Sequence, residues 1–124
     1  MNVTVLCGSL SSDPVWRSLR SGSTAVALEV TTDSVFESRS TVPVSIVDPT
    51  RIRDLERLSA GDRVLVIGET RRRFFRAGGA TGSRTEVRAS QVIPAGRRTR
   101  VTSALVGVAT MLGEASEREL LFET

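Results

Sequence analysis

The residues best suited to bind a ligand lie in one short stretch of the 124-residue chain, Arg71-Arg72-Arg73-Phe74-Phe75-Arg76. Guanidinium groups bind phosphates through charge-assisted hydrogen bonds, and phenylalanine rings are flat surfaces on which bases stack. If the stretch continues a β-strand, alternate side chains lie on opposite faces of the sheet. The two faces then carry different sets: Arg71, Arg73 and Phe75 on one, and Arg72, Phe74 and Arg76 on the other. This combination is typical of a groove for single-stranded nucleic acid.

Four more residues could extend this surface. Arg84 and Arg88 lie on the strand predicted to return from it, where a solvated position explains each arginine as well as contact with a ligand does. Phe36 and Arg39 lie in a polar loop, Ser34 to Ser40. An exposed aromatic residue there favours a binding role, although anchoring of the loop explains Phe36 almost as well.

The charge of the chain is concentrated in its central segment. The net charge is +3, and all 17 basic residues are arginine. Residues 1–50 carry three arginines and five acids (−2), residues 51–100 carry thirteen and five (+8), and residues 101–124 carry one and four (−3). Such clustering indicates a polyanionic partner, with a solvated arginine-rich face as the equally simple alternative.

Composition argues against catalysis and against a metal site. The chain has no histidine and one cysteine, so the commonest general base and the commonest metal ligands are missing. No phosphate-binding loop of the G-x-x-x-x-G-K type occurs. We therefore expect no enzymatic activity, no cofactor, no metal and no small-molecule substrate.

Three features predict a cytoplasmic protein that makes no membrane contact. No stretch approaches the roughly 20 consecutive apolar residues that cross a membrane. The N-terminus runs directly into a strand pattern, without the basic segment or cleavage site of a secretory signal. The single cysteine, Cys7, cannot form a disulfide within the chain and suits a reducing compartment.

Hydrophobic patterning predicts an all-β domain with one short helix. Alternating apolar and polar residues predict five strands, at residues 3–8, 24–32, 41–47, 64–75 and 84–93. Apolar residues at helical spacing predict a helix from Arg51 to Leu58, between strands three and four. The glycine-rich segment Ala77 to Ser83 is predicted as a hairpin loop. This order of elements is that of a five-stranded OB-fold barrel, which we assign to residues 1–95.

Residues 96–124 are predicted as a C-terminal extension of the barrel. The β-branched run from Arg100 to Val108 favours an extra strand over a helix. Such an exposed apolar strand invites pairing with another copy of the chain. Met111 to Phe122 is predicted as either a short weak helix or a frayed tail.

Four segments, in order and in register, resemble the bacterial single-stranded DNA-binding protein family. Residues 2–14, NVTVLCGSLSSDP, are similar to its opening strand and the Asp-Pro that follows. Residues 22–28, GSTAVAL, are similar to the entry of its second strand. Residues 58–71 match its pattern L-x-x-G-x-x-V-x-V-x-G-x-x-R, and residues 85–87, TEV, fall where its fifth strand begins.

The resemblance implies a homotetramer that binds single-stranded DNA without sequence preference, in replication, recombination or repair. The family's arginine, arginine, aromatic pattern falls on Arg71, Arg73 and Phe75, so we predict these as the main DNA contacts. Phe74 is then predicted to pack in the core. The run Arg100 to Val108 resembles the subunit-clamping strand of actinobacterial members.

The sequence departs from the family in two respects, and the first favours an alternative function. The third predicted strand has no aromatic residue, although family members stack bases there. The long tail with an acidic tip, through which family members recruit partners, has no counterpart, which argues against recruitment of those partners. The alternative is therefore a degenerate OB-fold tetramer that binds mainly a protein partner and DNA only weakly; RNA binding is a third, weaker interpretation.

Overall fold

The computed structural model describes residues 1–33 and 38–122, with side chains as far as Arg118. These residues form six strands and two helices. In chain order the elements are β1 (Thr4–Leu10), β2 (Val15–Ser18), β3 (Thr24–Thr32), β4 (Ser40–Val47), α1 (Ile52–Glu56), β5 (Arg63–Ala77), β6 (Ala80–Pro94) and α2 (Arg98–Phe122). Neither helix in the described part of the chain is long and apolar enough to cross a membrane.

The six strands form one sheet that closes into a ring. Its order is β1–β5–β6–β4–β3–β2, and an additional pairing of β1 with β3 closes the ring. β4 and β6 run parallel where Val44 lies opposite Val87. The other pairs are antiparallel. The fold is therefore mostly β and barrel-like, as expected, but a helix lies where an extra C-terminal strand was expected.

Alternation along the strands divides the ring into an inner and an outer face. On β3, Val26, Leu28 and Val30 are buried in the core, whereas Ala25 and Ala27 lie on the outer face. Burial of each such aliphatic side chain stabilises the fold by about 1.5–3 kcal/mol. Other strands, α1 and the segment that follows α1 complete the core with Leu10, Val44, Ile46, Leu55, Leu58, Val64, Val66, Val87, Ala89 and Val92.

Beyond the ring, β5 and β6 continue as a two-stranded arm. At its base the ladder slips by one residue between Ile67 and Gly68. A Cβ on Gly68 would lie 2.2 Å from the carbonyl oxygen of Arg88, so no larger residue fits at this bulge. From Glu69 to Ala77 every residue of β5 is exposed. On β6, residues 80–86 are exposed or half-buried and Val87 is buried, so the arm projects into solvent beyond Val87.

The arm ends in a two-residue turn, so the loop predicted from Ala77 to Ser83 is wrong. Gly78 and Gly79 have φ of 57° and 81°, values that fit a type I′ turn and that residues with a Cβ rarely adopt. Residues 80–83 therefore pair with residues 74–77. The cluster of glycines suggested a longer loop, but Gly82 lies within β6.

The predicted C-terminal strand from Arg100 to Val108 is also wrong, because the segment lies within α2, a helix of 25 residues. Leu65, Ile67 and Ile93 form an apolar patch on the outer face of the ring, and α2 covers it with Val101, Ala104 and Val108. These three positions share one side of a helix, whereas a strand would divide them between two faces. Burial of the patch therefore outweighs the strand preference of β-branched residues. Residues 111–122 continue the same helix.

Asp54 of α1 anchors the first turn of α2. Its carboxylate accepts a hydrogen bond from the guanidinium of Arg100 and lies 4.0 Å from that of Arg97. The hydrogen bond from Arg100 lowers the pKa of Asp54 below its usual value. The stabilisation is therefore complete above the unfolded-state pKa of about 3.9 and is lost as the pH falls through the lower folded-state pKa.

We expect Asp54→Asn to lower the free energy of unfolding by about 1 kcal/mol at pH 7, because a charge-assisted hydrogen bond becomes a neutral one. The matched control is Asp33→Asn, because the Asp33–Arg39 pair, at 3.0 Å, is largely exposed and such pairs contribute little. Thermal unfolding at pH 7 and pH 3 measures both variants. An Asp54→Asn effect that is absent at pH 7, or that grows at pH 3, would contradict the assignment.

Candidate functional site

The outer face of the arm brings most of the predicted site residues together. The ladder is regular from Glu69 to Ala77, so directly opposed residues share a face. The pairs on this face are Glu69 with Arg88, Arg71 with Glu86, Arg73 with Arg84, and Phe75 with Gly82. Arg71, Arg73, Phe75, Arg84 and Arg88 therefore form one surface, which we call the arginine face.

The arginine face continues onto the outer face of β3 and β4. The connection is the parallel contact of β4 with β6, where Ser45 lies opposite Arg88. The floor of the adjoining groove consists mainly of small outward side chains, such as Ala25, Ala27 and Pro43, and also includes Glu29. Their size leaves an open groove of about 400 Å³ above the sheet. Inward neighbours on the same strands fill the core, so this floor is fixed by the fold.

Four arginines border the groove: Arg17, Arg73, Arg84 and Arg88. Arg17 was missed by the sequence analysis, because the four-residue strand β2 was not predicted. It lies opposite Ala25 of β3, so it is on the outer face of the sheet, at the β2 edge of the groove. The β-favouring pair Val15-Trp16, directly after the Asp13-Pro14 turn, was the signal that indicated this strand.

Acidic side chains partly neutralise the groove. Glu86, whose side chain is 16% exposed, lies 3.6 Å from the guanidinium of Arg73. Arg71 lies 3.5 Å from Glu69. Among the described residues, neither Arg84 nor Arg88 has a carboxylate within ion-pair distance. These two arginines are therefore free to bind an anion.

The two phenylalanines of the arm lie on opposite faces. Phe75 is 44% exposed, and its ring lies over Gly82, where an added Cβ would approach it to 2.8 Å. Phe74 is 67% exposed on the other face. The prediction that Phe74 packs in the core is wrong, because both strands of the arm extend beyond the ring. Phe75 thus presents a ring beside the arginines, and Phe74 presents one away from them.

The other predicted site residues lie apart from this surface. Arg72 is on the opposite face of the arm, where it pairs with Thr85. Arg39 pairs with Asp33 next to the β3–β4 loop and does not line the groove. Phe36 lies outside the described residues.

The chemistry available on this surface is binding of anions and of flat rings. Within residues 1–33 and 38–122, no three histidine, cysteine, aspartate or glutamate side chains are placed to hold a metal ion. Among the described residues, Asp48 and Asp54 have a carboxyl pKa below the usual value, because of hydrogen bonds from Thr24 and Arg100 respectively, and both lie outside the groove. Comparison of the sequence with known family models and with curated proteins finds no match.

Proposed function

We propose that the protein binds single-stranded DNA, without sequence preference, in the groove that the arginine face borders. The observation that carries the proposal is a groove bordered by four arginines, with a floor of mostly small side chains, next to the face of the arm that carries the exposed Phe75. Cations bind the phosphates and the ring provides a stacking surface for bases. By analogy with the family that the sequence resembles, the protein would protect single strands in replication, recombination or repair.

The spacing of the arginines fits an extended strand. Arginines on the same face at alternate positions, such as Arg71 and Arg73, are about 6.8 Å apart along the strand. This distance is comparable to the separation of successive phosphates in an extended nucleic acid. A row of such contacts reads only the backbone, which supports binding without sequence preference.

The strand order supports assignment of the fold as an OB barrel. Without the short β2, five strands remain in the ring order β1–β5–β6–β4–β3. In chain order α1 lies between β4 and β5, which are the third and fourth of these five strands. OB folds bind oligonucleotides on the face of their second and third strands and on the adjoining loops. In this chain those strands are β3 and β4, and their outer face is the floor of the groove.

One observation favours the alternative, a module that binds mainly a protein partner. The residues on the floor of the groove include no aromatic side chain: Ala25, Ala27, Glu29, Pro43, Ser45 and Val47. Stacking on β3 and β4 is therefore unavailable, and Phe75 is the one aromatic residue on the arginine face. The two hypotheses predict different affinities for DNA, and a binding measurement separates them.

Titration with fluorescently labelled oligo-dT at several salt concentrations tests the proposal. We expect binding at low salt and a fall in affinity as salt rises, with a slope of about −0.7 per phosphate neutralised. Oligo-rU and duplex DNA as competitors distinguish DNA from RNA and single from double strands. Failure to bind oligo-dT at low salt would refute the proposal and leave the protein-binding alternative.

Glu86→Gln is expected to strengthen binding to oligo-dT by about fivefold at 0.1 M salt, because it frees Arg73 to neutralise one more phosphate. The salt dependence should become steeper by about 0.7. The control is Glu56→Gln, which removes an equal charge from an exposed position on α1. Equal effects of the two substitutions would show that only net charge matters.

A further inference from the structure

An open pocket of about 490 Å³ lies between the N-terminal residues, the base of the arm and α2. Its lining is mainly apolar and contains both methionines of the chain, so we call it the methionine pocket. The apolar residues that line it are Met1, Val3, Ile67, Ala89 and Met111. Arg88 is the one residue that borders both this pocket and the groove.

Met111 is the residue that α2 contributes to the pocket. It lies on the same side of the helix as Val101, Ala104 and Val108, because steps of three and four residues return to one side. Those three residues pack on the apolar patch of the sheet, and Val108 is buried. Met111 follows one turn later and is 43% exposed. The side of α2 that faces the sheet therefore ends in a side chain that a ligand in the pocket can contact.

The pocket continues the groove across the outer face of the sheet. The groove extends over β6, β4 and β3, and the pocket lies on β5 and β6, on the side toward β1. Arg88 stands between the two. If a phosphate binds Arg88, the base attached to the same nucleotide lies beside the pocket. This continuity indicates that the occupant is part of the strand in the groove.

The lining suits a planar base of any identity. Methionine side chains adapt to the shape of a ligand, and their sulfur atoms make favourable contacts with aromatic rings. Two polar side chains of the lining are held by the backbone. The amide of Asn2 forms hydrogen bonds with both backbone groups of Thr70, at 2.9 and 3.3 Å, and the hydroxyl of Ser90 donates to the carbonyl of Ile67 at 3.1 Å. Contact with the ring thus dominates over recognition of base edges, which carries sequence preference.

We infer that the methionine pocket holds one base of the single strand whose phosphates bind along the groove. The base lies between Met1 and Met111, and Arg88 binds the adjoining phosphate. The inference rests on the proposed function and adds a second base contact to that of Phe75. It also supplies the contact with bases that the floor of the groove lacks, because the described residues on that floor include no aromatic side chain.

The first test is NMR of the full chain labelled with ¹³C at the methionine methyl groups, which gives one signal from each methionine of the pocket. Met111→Leu assigns the two signals. We expect saturating oligo-dT to shift both, and oligo-dA to shift them further upfield, because a purine has a larger ring current. An abasic oligomer of the same length should bind through its phosphates and leave both signals in place.

Fluorescence anisotropy of the same samples measures saturation, so loss of the inference and loss of the proposed function give different results. If oligo-dT saturates the protein and neither methyl signal moves, the inference is overturned and the proposed function stands. Equal shifts with the abasic oligomer would also overturn the inference, because the pocket would then contact the backbone and not a base. Failure of oligo-dT to bind at all would refute both.

Met111→Ala is expected to weaken binding to oligo-dT roughly two- to tenfold, because the contact of its sulfur with the ring is lost. The salt dependence and the affinity for the abasic oligomer should stay as in the native chain, because no phosphate contact changes. The control is Leu112→Ala, since Leu112 is equally exposed, at 45%, and lines neither the pocket nor the groove. Equal effects of the two substitutions on oligo-dT binding would overturn the inference.

Discussion

Replacement of Arg17, Arg84 and Arg88 together with glutamine is expected to weaken binding to oligo-dT on the order of 100-fold at 0.1 M salt. Each of these arginines borders the groove, and each would neutralise one phosphate. Loss of three such contacts should also reduce the salt dependence by about 2 in slope. Fluorescence anisotropy at salt concentrations from low to physiological measures the affinity and the slope together.

The control for this variant carries the same loss of charge elsewhere. Arg53 and Arg57 lie on and next to α1, and Arg76 lies on the opposite face of the arm. Their joint replacement with glutamine should leave the slope close to that of the native protein. If the two triple variants lose affinity equally, binding follows the overall charge and the groove has no special role.

Phe75→Ala is expected to weaken binding by about 1–3 kcal/mol, the usual effect of losing one stacking surface. Phe74→Ala is the matched control, because Phe74 is the more exposed ring yet lies on the face without the groove. Phe75→Leu separates two effects: leucine still covers Gly82 but has no aromatic face. Stacking predicts that Phe75→Leu binds as weakly as Phe75→Ala.

A larger effect of Phe74→Ala than of Phe75→Ala would place the binding site on the other face of the arm. If Phe74→Ala weakens binding and Phe75→Ala does not, the strand contacts the face of the arm that carries Arg72 and Arg76. If neither substitution matters, the arm contributes charge alone. Circular dichroism and thermal unfolding of each variant exclude loss of the fold as the cause.

The strands of the ring were predictable where apolar and polar residues alternate regularly. β3 has the predicted bounds, Thr24–Thr32, and β4 begins one residue earlier than predicted, at Ser40. β2 was missed because all four of its residues are exposed, so its sequence lacks alternation. Because β2 was not predicted, Arg17 was not predicted as a residue of the site. The site was therefore predictable on the arm and unpredictable where it depends on this short edge strand.

The C-terminal helix was unpredictable for a different reason. Its first half is rich in β-branched residues, and local preference alone favours a strand there. The helix forms over a patch assembled from β5 and β6, whose existence depends on the bulge at Gly68 and on strand pairing distant in sequence. The local sequence pattern of the C-terminal segment does not indicate such a patch. Tertiary packing therefore decides that this segment is a helix and not a strand.

The most direct test of the account is an NMR titration of the ¹⁵N-labelled protein with oligo-dT, which locates the bound strand residue by residue. We expect the largest amide shifts along the outer faces of β3 and β4 and along the arginine face, including Ser45, Arg73 and Arg88. The exposed side of α2 around Leu105 and Leu112 should change little. Shifts confined to α2, or to the face of the arm that carries Phe74, would contradict the proposed groove.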